Sequence, residues 1–260
     1  MIVYIMGAGR SGTTALDILL GNQESCFSMG EIRKLFDEQG TAIGRDADDT
    51  VAFWHRVYAA IPQNARDAYL HQRFSRREYH LRLVQAFLQS KFLRSGLRDY
   101  GATWHRVFDL VRSYSGKRIL IDSSKYPGRA MMLEATLDDT AIVYIVRARS
   151  EVVRSFRKRH VEQPEKSVLA ANLYYCLNRI ACSTVFLLSR RKKVRIDFQD
   201  LQVAPQDTIK TICSRLDIPC NQQALDDVAN RRPIPTGHLF DGNRLRLNSQ
   251  VVIGREAGQR

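Results

Sequence analysis

The sequence predicts an α/β fold in which a central parallel sheet carries helices on both faces, with the 260 residues forming one domain. Three observations predict it. Four short apolar runs rich in β-branched residues, Ile2–Met6, Arg118–Ile121, Ala141–Val146 and Val194–Phe198, have the character of strands buried on both faces. Helical patterns lie between these runs, and that alternation is how a parallel sheet is wound. The first run ends in glycines at Gly7, Gly9 and Gly12 and passes at once into a helical pattern at Leu16, Leu19 and Leu20.

Strand, glycine turn and helix together aim backbone N–H groups and a helix N-terminus at a phosphate. The spacing from Gly7 to Gly12 is that of a Walker A loop, GxxxxGK[ST], so the expected class is a P-loop-NTPase-like three-layer fold. Thr13 stands where the lysine belongs, and Arg10 is the one basic side chain of the loop. A nucleoside triphosphatase needs that lysine on the β/γ-phosphates. The loop therefore reads as a phosphate cradle without the equipment for ATP hydrolysis.

Between the first two runs, residues 45–117 form an insertion expected to be all-helical. Leu70, Phe74, Leu81, Val84, Leu88 and Phe92 recur at spacings of three, four and seven, which gives one apolar stripe. Its other face is basic, with Arg66, Arg73, Arg76, Arg77, Arg82, Lys91, Arg94 and Arg98, and reads either as a solvated face or as a substrate-facing one. A long helix is expected over Lys166–Ser189. A shorter one is expected over Pro205–Leu216, with the proline in its first turn. The segment after Leu247 is weakly patterned and is expected to be a mobile tail.

Forty basic against 27 acidic residues leave a net charge of +13, which points to an anionic partner or else to a generally solvated basic surface. The five cysteines show no CxxC pair and no metal-ligand spacing, so reduced thiols and no metal site are expected. No leader pattern and no membrane-length apolar run is visible, and a cytoplasmic protein is the expectation.

Two further positions invite chemistry. Arg147, at the end of the third run, falls on the carboxyl edge of the sheet, where open α/β folds bind ligands. Ser155, two turns into the following helix, could join it on one phosphate; the alternative is a basic helix (Arg154, Arg157, Lys158, Arg159) facing water. Glu31 follows Arg10 by 21 residues and can re-enter the same cleft, as a general base or as a glutamate favouring the dipole of a helix over Ile32–Asp37. Lys125 is a cation for a leaving group or a surface lysine in a turn. Asp122 reads as a structural residue fixing that turn.

Taken together, Gly9-Arg10-Ser11-Gly12-Thr13-Thr14 and Arg147 with Ser155 resemble the two nucleotide-binding elements of the sulfotransferases that use PAPS, 3′-phosphoadenosine 5′-phosphosulfate. The closer similarity is to the branch containing tyrosylprotein sulfotransferases and many bacterial enzymes, where such a loop precedes a Gly-Glu step, here Gly30-Glu31. Asp122-Ser123-Ser124-Lys125 resembles the segment that brings a catalytic lysine to the leaving group. Asp197-Phe198-Gln199-Asp200-Leu201, with Pro205, is similar to the late strand-loop-helix. His238 to Arg246 is similar to a C-terminal Gly-Asn-Arg segment that closes over the nucleotide. The resemblance implies a single sulfotransferase domain over 1–260 whose first loop holds the 5′-phosphosulfate. It also implies that Arg147 and Ser155 hold the 3′-phosphate, that Asn243 and Arg244 bind nucleotide, and that Glu31, Arg10 and Lys125 are catalytic. Two positions depart from the pattern: Ala148-Arg149-Ser150 replaces a common proline, and none of the six histidines sits in the context of the histidine base of small-molecule sulfotransferases.

The implied partner is a hydroxyl-bearing acceptor, small molecule, glycan, lipid or tyrosine, with no nucleic acid and no metal. The insertion, with Trp54, Tyr58, Tyr69, Phe74, Tyr79 and Trp104, is the expected acceptor-binding region. A P-loop kinase and a non-enzymatic basic module binding nucleic acid or glycan are the competing readings. The first lacks its loop lysine, and the second leaves the phosphate loop and Glu31 unused.

Overall fold

A computed structural model describes residues 1–42, 49–71, 78, 93–157 and 166–254. Five parallel strands form the central sheet: β1 (Ile2–Met6), β2 (Cys26–Gly30), β3 (Ile119–Lys125), β4 (Thr140–Val146) and β5 (Lys192–Asp197), in the order β2-β3-β1-β4-β5. β1 is buried along its whole length because both of its faces are covered. Ile2, Tyr4 and Met6 face one helical layer, and Val3 and Ile5 face the other.

The first layer contains α2 (Asp49–Ala59), α3 (Gln63–His71), α4 (Leu93–Ser115), α5 (Pro127–Thr136) and α7 (Val168–Leu188), with α6 (Arg149–Arg157) packed beside α7. In α4 the buried residues Tyr100, Trp104, Val107, Phe108 and Val111 repeat at helical spacing, so one stripe faces the sheet. The second layer contains α1 (Thr13–Gly21), α8 (Phe198–Val203), α9 (Pro205–Leu216) and α10 (Gln222–Ala229). A three-layer α/β fold is thus what the chain adopts.

Five strands stand where four were expected. β2 escaped the sequence reading because Ser28 and Gly30 interrupt its apolar pattern and it pairs on one side only. β3 begins one residue later than expected and runs on through Asp122-Ser123-Ser124-Lys125. These polar side chains fit because Asp122, Ser123 and Ser124 are fully buried and hydrogen-bonded. The helix expected over Ile32–Asp37 is a single 3₁₀ turn, Ile32–Leu35.

The long helix is two residues shorter at its start than expected, because Ser167 caps it by accepting from the Ala170 N–H at 3.2 Å. The tail is not free as far as residue 254. β7 (Gln250–Val251) pairs antiparallel with β6 (Ile234–Pro235), and Val251 is buried. Every described stretch of the insertion is helical or a connecting turn. The expected stripe positions Phe74, Leu81, Val84, Leu88 and Phe92 lie outside the described residues. So do Tyr79 and the basic positions Arg73, Arg76, Arg77, Arg82, Lys91, Lys158 and Arg159. Tyr69 and Trp104 are fully buried in a ring cluster with Phe36, and Trp54 is fully buried against the rings of Phe27, Phe53 and Phe240, so all three are core rather than a pocket lining.

Candidate active site

All five strands deliver a residue to the carboxyl edge of the sheet. The glycine loop follows β1, Glu31 follows β2, Lys125 ends β3, Arg147 follows β4 and Phe198 follows β5. In doubly wound sheets the crevice for ligands opens at this edge.

The loop from Gly9 to Thr14 is shaped for an anion. Arg10 (φ 69°) and Gly12 (φ 88°) both take the left-handed conformation, which turns successive N–H groups to one side. Gly12 is also required by space, since a Cβ there would lie 2.3 Å from the Phe198 ring. As the N-cap of α1, Gly12 offers no side-chain acceptor, and the first turn holds no acidic residue, so that helix end has neither a side-chain cap nor an acid of its own first turn. The Ser11 hydroxyl is buried and makes no hydrogen bond among the described residues, an orphaned donor beside uncapped amides. On the far side, the Tyr174 hydroxyl of α7 accepts from the Gly9 N–H at 2.9 Å and holds the loop in place.

Glu31 and Lys125 meet in an ion pair through Glu31 Oε1. Oε2 takes no partner among the described residues. Glu31 occupies the N-cap position of the 3₁₀ turn but makes no capping bond, so its carboxylate is directed at Lys125 rather than at the helix end. Lys125 sits at φ 75°, just where the register of β3 against β1 shifts between Tyr4 and Met6. A bulge of this kind re-aims a side chain, here into the cleft.

A buried scaffold that the sequence reading missed holds the pair in place. Asp17, on α1, is fully buried; its Oδ2 accepts from the Gly30 N–H at 3.0 Å and from the Ser123 hydroxyl at 2.6 Å. One carboxyl therefore joins the residue before Glu31 to a residue two before Lys125. Burial pushes Asp17 up to about 7, and the nearby charge of Asp122 adds to the shift against the Ser123 hydrogen bond. The sequence signal was available: an acid embedded in the apolar run Leu16–Leu20. On the other face, Asp122 accepts from the Ser124 N–H at 2.9 Å and from its hydroxyl at 2.5 Å, and the Ser124 hydroxyl accepts from the Arg33 N–H at 3.3 Å. Asp122 is thus structural, as expected, but it holds the end of β3 rather than a turn after it. Beneath it, Arg129 is fully buried between Asp122, Glu78 and the Trp104 ring.

Arg147 donates from Nη1 to the Arg10 carbonyl at 2.7 Å and from Nε to Glu151 at 2.8 Å, with its guanidinium over the Phe198 ring. It is therefore tied directly to the glycine loop. Ser155 is half-buried in α6, and no contact joins it to Arg147 among the described residues. The Asn243 N–H donates to Thr14 Oγ1 at 3.0 Å, which seats the C-terminal segment on the first turn of α1. Arg244 follows and is exposed. The same segment secures Glu31, whose N–H donates to the Asp241 carbonyl at 2.9 Å, while Lys34 pairs with the Asp241 carboxylate. A Cβ at Gly30 (φ 69°) would lie 2.3 Å from that carbonyl, so only glycine allows the approach. Among the described residues no group of three His, Cys, Asp or Glu could hold a metal ion. His105 lies on the exposed face of α4, paired with Asp109.

Residues 3–222 match the model of the Sulfotransferase family. Among solved structures, the chain is similar to a sulfotransferase domain from the curacin biosynthetic pathway. The identity is 16%, with 97% of this chain and 83% of that one covered, and the TM-score is 0.54. It is also similar to a sulfotransferase from Alicyclobacillus acidocaldarius, with 15% identity, 83% and 80% covered, and a TM-score of 0.41. No curated protein matches significantly.

Proposed function

The chain belongs to the sulfotransferase family, and from that premise we propose that it moves the sulfuryl group of PAPS to a hydroxyl acceptor, with Glu31 as general base. The observation that carries this reading is the Glu31–Lys125 pair beside an anion-shaped loop at one edge of the sheet. The loop fits the donor: the uncapped amides of Thr13 and Thr14 and the orphaned Ser11 hydroxyl suit a phosphosulfate, with Gly9, Arg10 and Gly12 shaping the turn.

PAPS, when bound, supplies the sulfuryl group and a phosphate leaving group. Sulfuryl transfer resembles phosphoryl transfer in its loose transition state, so the chain's task is positioning and charge. Glu31 takes the proton of the acceptor hydroxyl on its carboxylate, a contribution of about 10²–10⁴-fold. Arg10 and Lys125 place positive charge where negative charge grows. Both residues take left-handed backbones, which sets the direction in which each side chain leaves the chain. Arg147, just after β4, and Ser155, in the second turn of α6, take the 3′-phosphate, and Asn243 and Arg244 close from the C-terminal side. The exposed parts of the helical insertion take the acceptor.

Calorimetric titration tests the reading. Adenosine 3′,5′-bisphosphate should bind about tenfold more tightly than AMP, a difference of about 1.4 kcal/mol and modest for one charge-assisted contact. Arg147→Ala should erase most of that preference while weakening AMP less, which separates loss of the 3′-contact from a loosened Arg10 loop. Equal affinities in the unmodified protein would refute the assignment.

A further inference from the structure

α7 shows two faces. Ala171, Asn178, Cys182 and Val185 pack inward at helical spacing. Outward, Leu169, Leu173, Leu177, Ile180, Leu187 and Leu188 form an apolar stripe, with Leu169 79%, Ile180 65% and Leu187 76% exposed. A 21-residue helix extends about 30 Å, so this stripe runs well beyond the scattered apolar exposure of an ordinary surface. The helix contains no acid, and its one basic residue, Arg179, donates to the Tyr144 hydroxyl at 3.1 Å. Exposed basic residues rim both ends: Arg154, Arg157 and Lys166 at the start and Arg190 at the finish.

We propose that this face of α7 docks on an anionic lipid surface, with the leucines and Ile180 in the acyl boundary and the basic rim against the headgroups. Three features select this occupant. The rim is basic at both ends and the chain carries +13, so an anionic surface complements it. A second copy does not, since antiparallel pairing sets the Lys166 end of one helix against the Arg190 end of the other, and parallel pairing sets like against like. The stripe is aliphatic apart from the exposed Thr184 and holds no Trp, Tyr or Arg anchor, whereas protein interfaces concentrate their binding in such anchors. No helix among the described residues is long and apolar enough to cross a membrane, so the helix lies on the surface rather than through it. Docking there sets the cleft close to the lipid, since Tyr174 and Tyr175 of the same helix bond to Gly9 and to the Arg147 carbonyl. The inference rests on the surface alone and stands apart from the donor assignment.

Co-sedimentation of the full chain with phosphatidylcholine vesicles, with and without about 30% phosphatidylglycerol, tests it. The anionic vesicles should bind at least about tenfold more tightly. Leu169→Ser, Leu173→Ser and Ile180→Ser combined should abolish most of that binding with an unchanged melting temperature, because all three side chains are exposed. Arg154→Glu with Arg157→Glu should weaken it while leaving the stripe intact. Absence of binding to either vesicle, or undiminished binding by the triple variant, would overturn the proposal. So would a dimer in sedimentation velocity that the triple variant abolishes, which assigns the face to a second copy. Equal binding to polyglutamate, lost in the same variant, would assign it to an acidic polypeptide.

Discussion

Asp17→Asn isolates the carboxyl that ties the two halves of the site together. The asparagine carbonyl can still accept from the Gly30 N–H and the Ser123 hydroxyl, but the side chain no longer titrates. Its amide nitrogen takes the place of Oδ1, which has no partner among the described residues, so the variant carries a penalty that does not vary with pH. The pH dependence is therefore the informative quantity. Asp17 titrates at about 7 in the folded chain against 3.8 as a free side chain, so the folded state holds its proton more tightly than the unfolded one. The stability this group allows is greatest below about 3.8 and falls as pH rises through 7, after which it is constant. At 1.36 kcal/mol per unit the full loss is about 4 kcal/mol, and about 2.5 kcal/mol of it lies between pH 5 and pH 8. Urea unfolding of both proteins at pH 5, 6.5 and 8 reads this as a gap that changes with pH. Asp17→Asn should gain on the unmodified protein by about 2.5 kcal/mol from pH 5 to pH 8. Parallel curves, with a gap constant within about 0.5 kcal/mol, would refute the argument that burial keeps this carboxyl protonated.

Glu31→Gln should lower kcat by about two to four orders of magnitude while binding of adenosine 3′,5′-bisphosphate changes little. Near-normal turnover would remove Glu31 as the base. Transfer should continue in excess EDTA, because Arg10 and Lys125 supply the positive charge; activity lost to the chelator and restored by Mg²⁺ would return the kinase reading. Gly30→Ala should destabilise the fold by about 2 kcal/mol or more, since its Cβ meets the Asp241 carbonyl. Gly116→Ala, at φ 68° with nothing within 4 Å, should cost only about 1 kcal/mol of backbone strain, and similar melting temperatures for the two variants would contradict the packing account.

The features legible in the chain are those whose cause is local. β1, β4 and β5 are continuous or alternating apolar runs, and α9 matches its proline start and apolar spacing, so strand and helix periods alone locate them. The glycine loop was legible for the same reason, because its glycines allow a tight turn between strand and helix, with Gly12 in the left-handed conformation. Glu31 and Lys125 could be singled out one at a time, but 94 residues separate them. Their meeting depends on β2 pairing with β3, and β2 carries too weak an apolar pattern to declare itself. The tertiary structure also decided the role of the aromatic residues of the insertion. A tryptophan such as Trp104 reads equally as pocket wall or core, and only its packing against Phe36, Tyr69 and Arg129 makes it core. Asp17 and Arg129 belong to the same class. A charged side chain is buried only where partners from distant strands and helices compensate its desolvation, and no local stretch of sequence holds those partners.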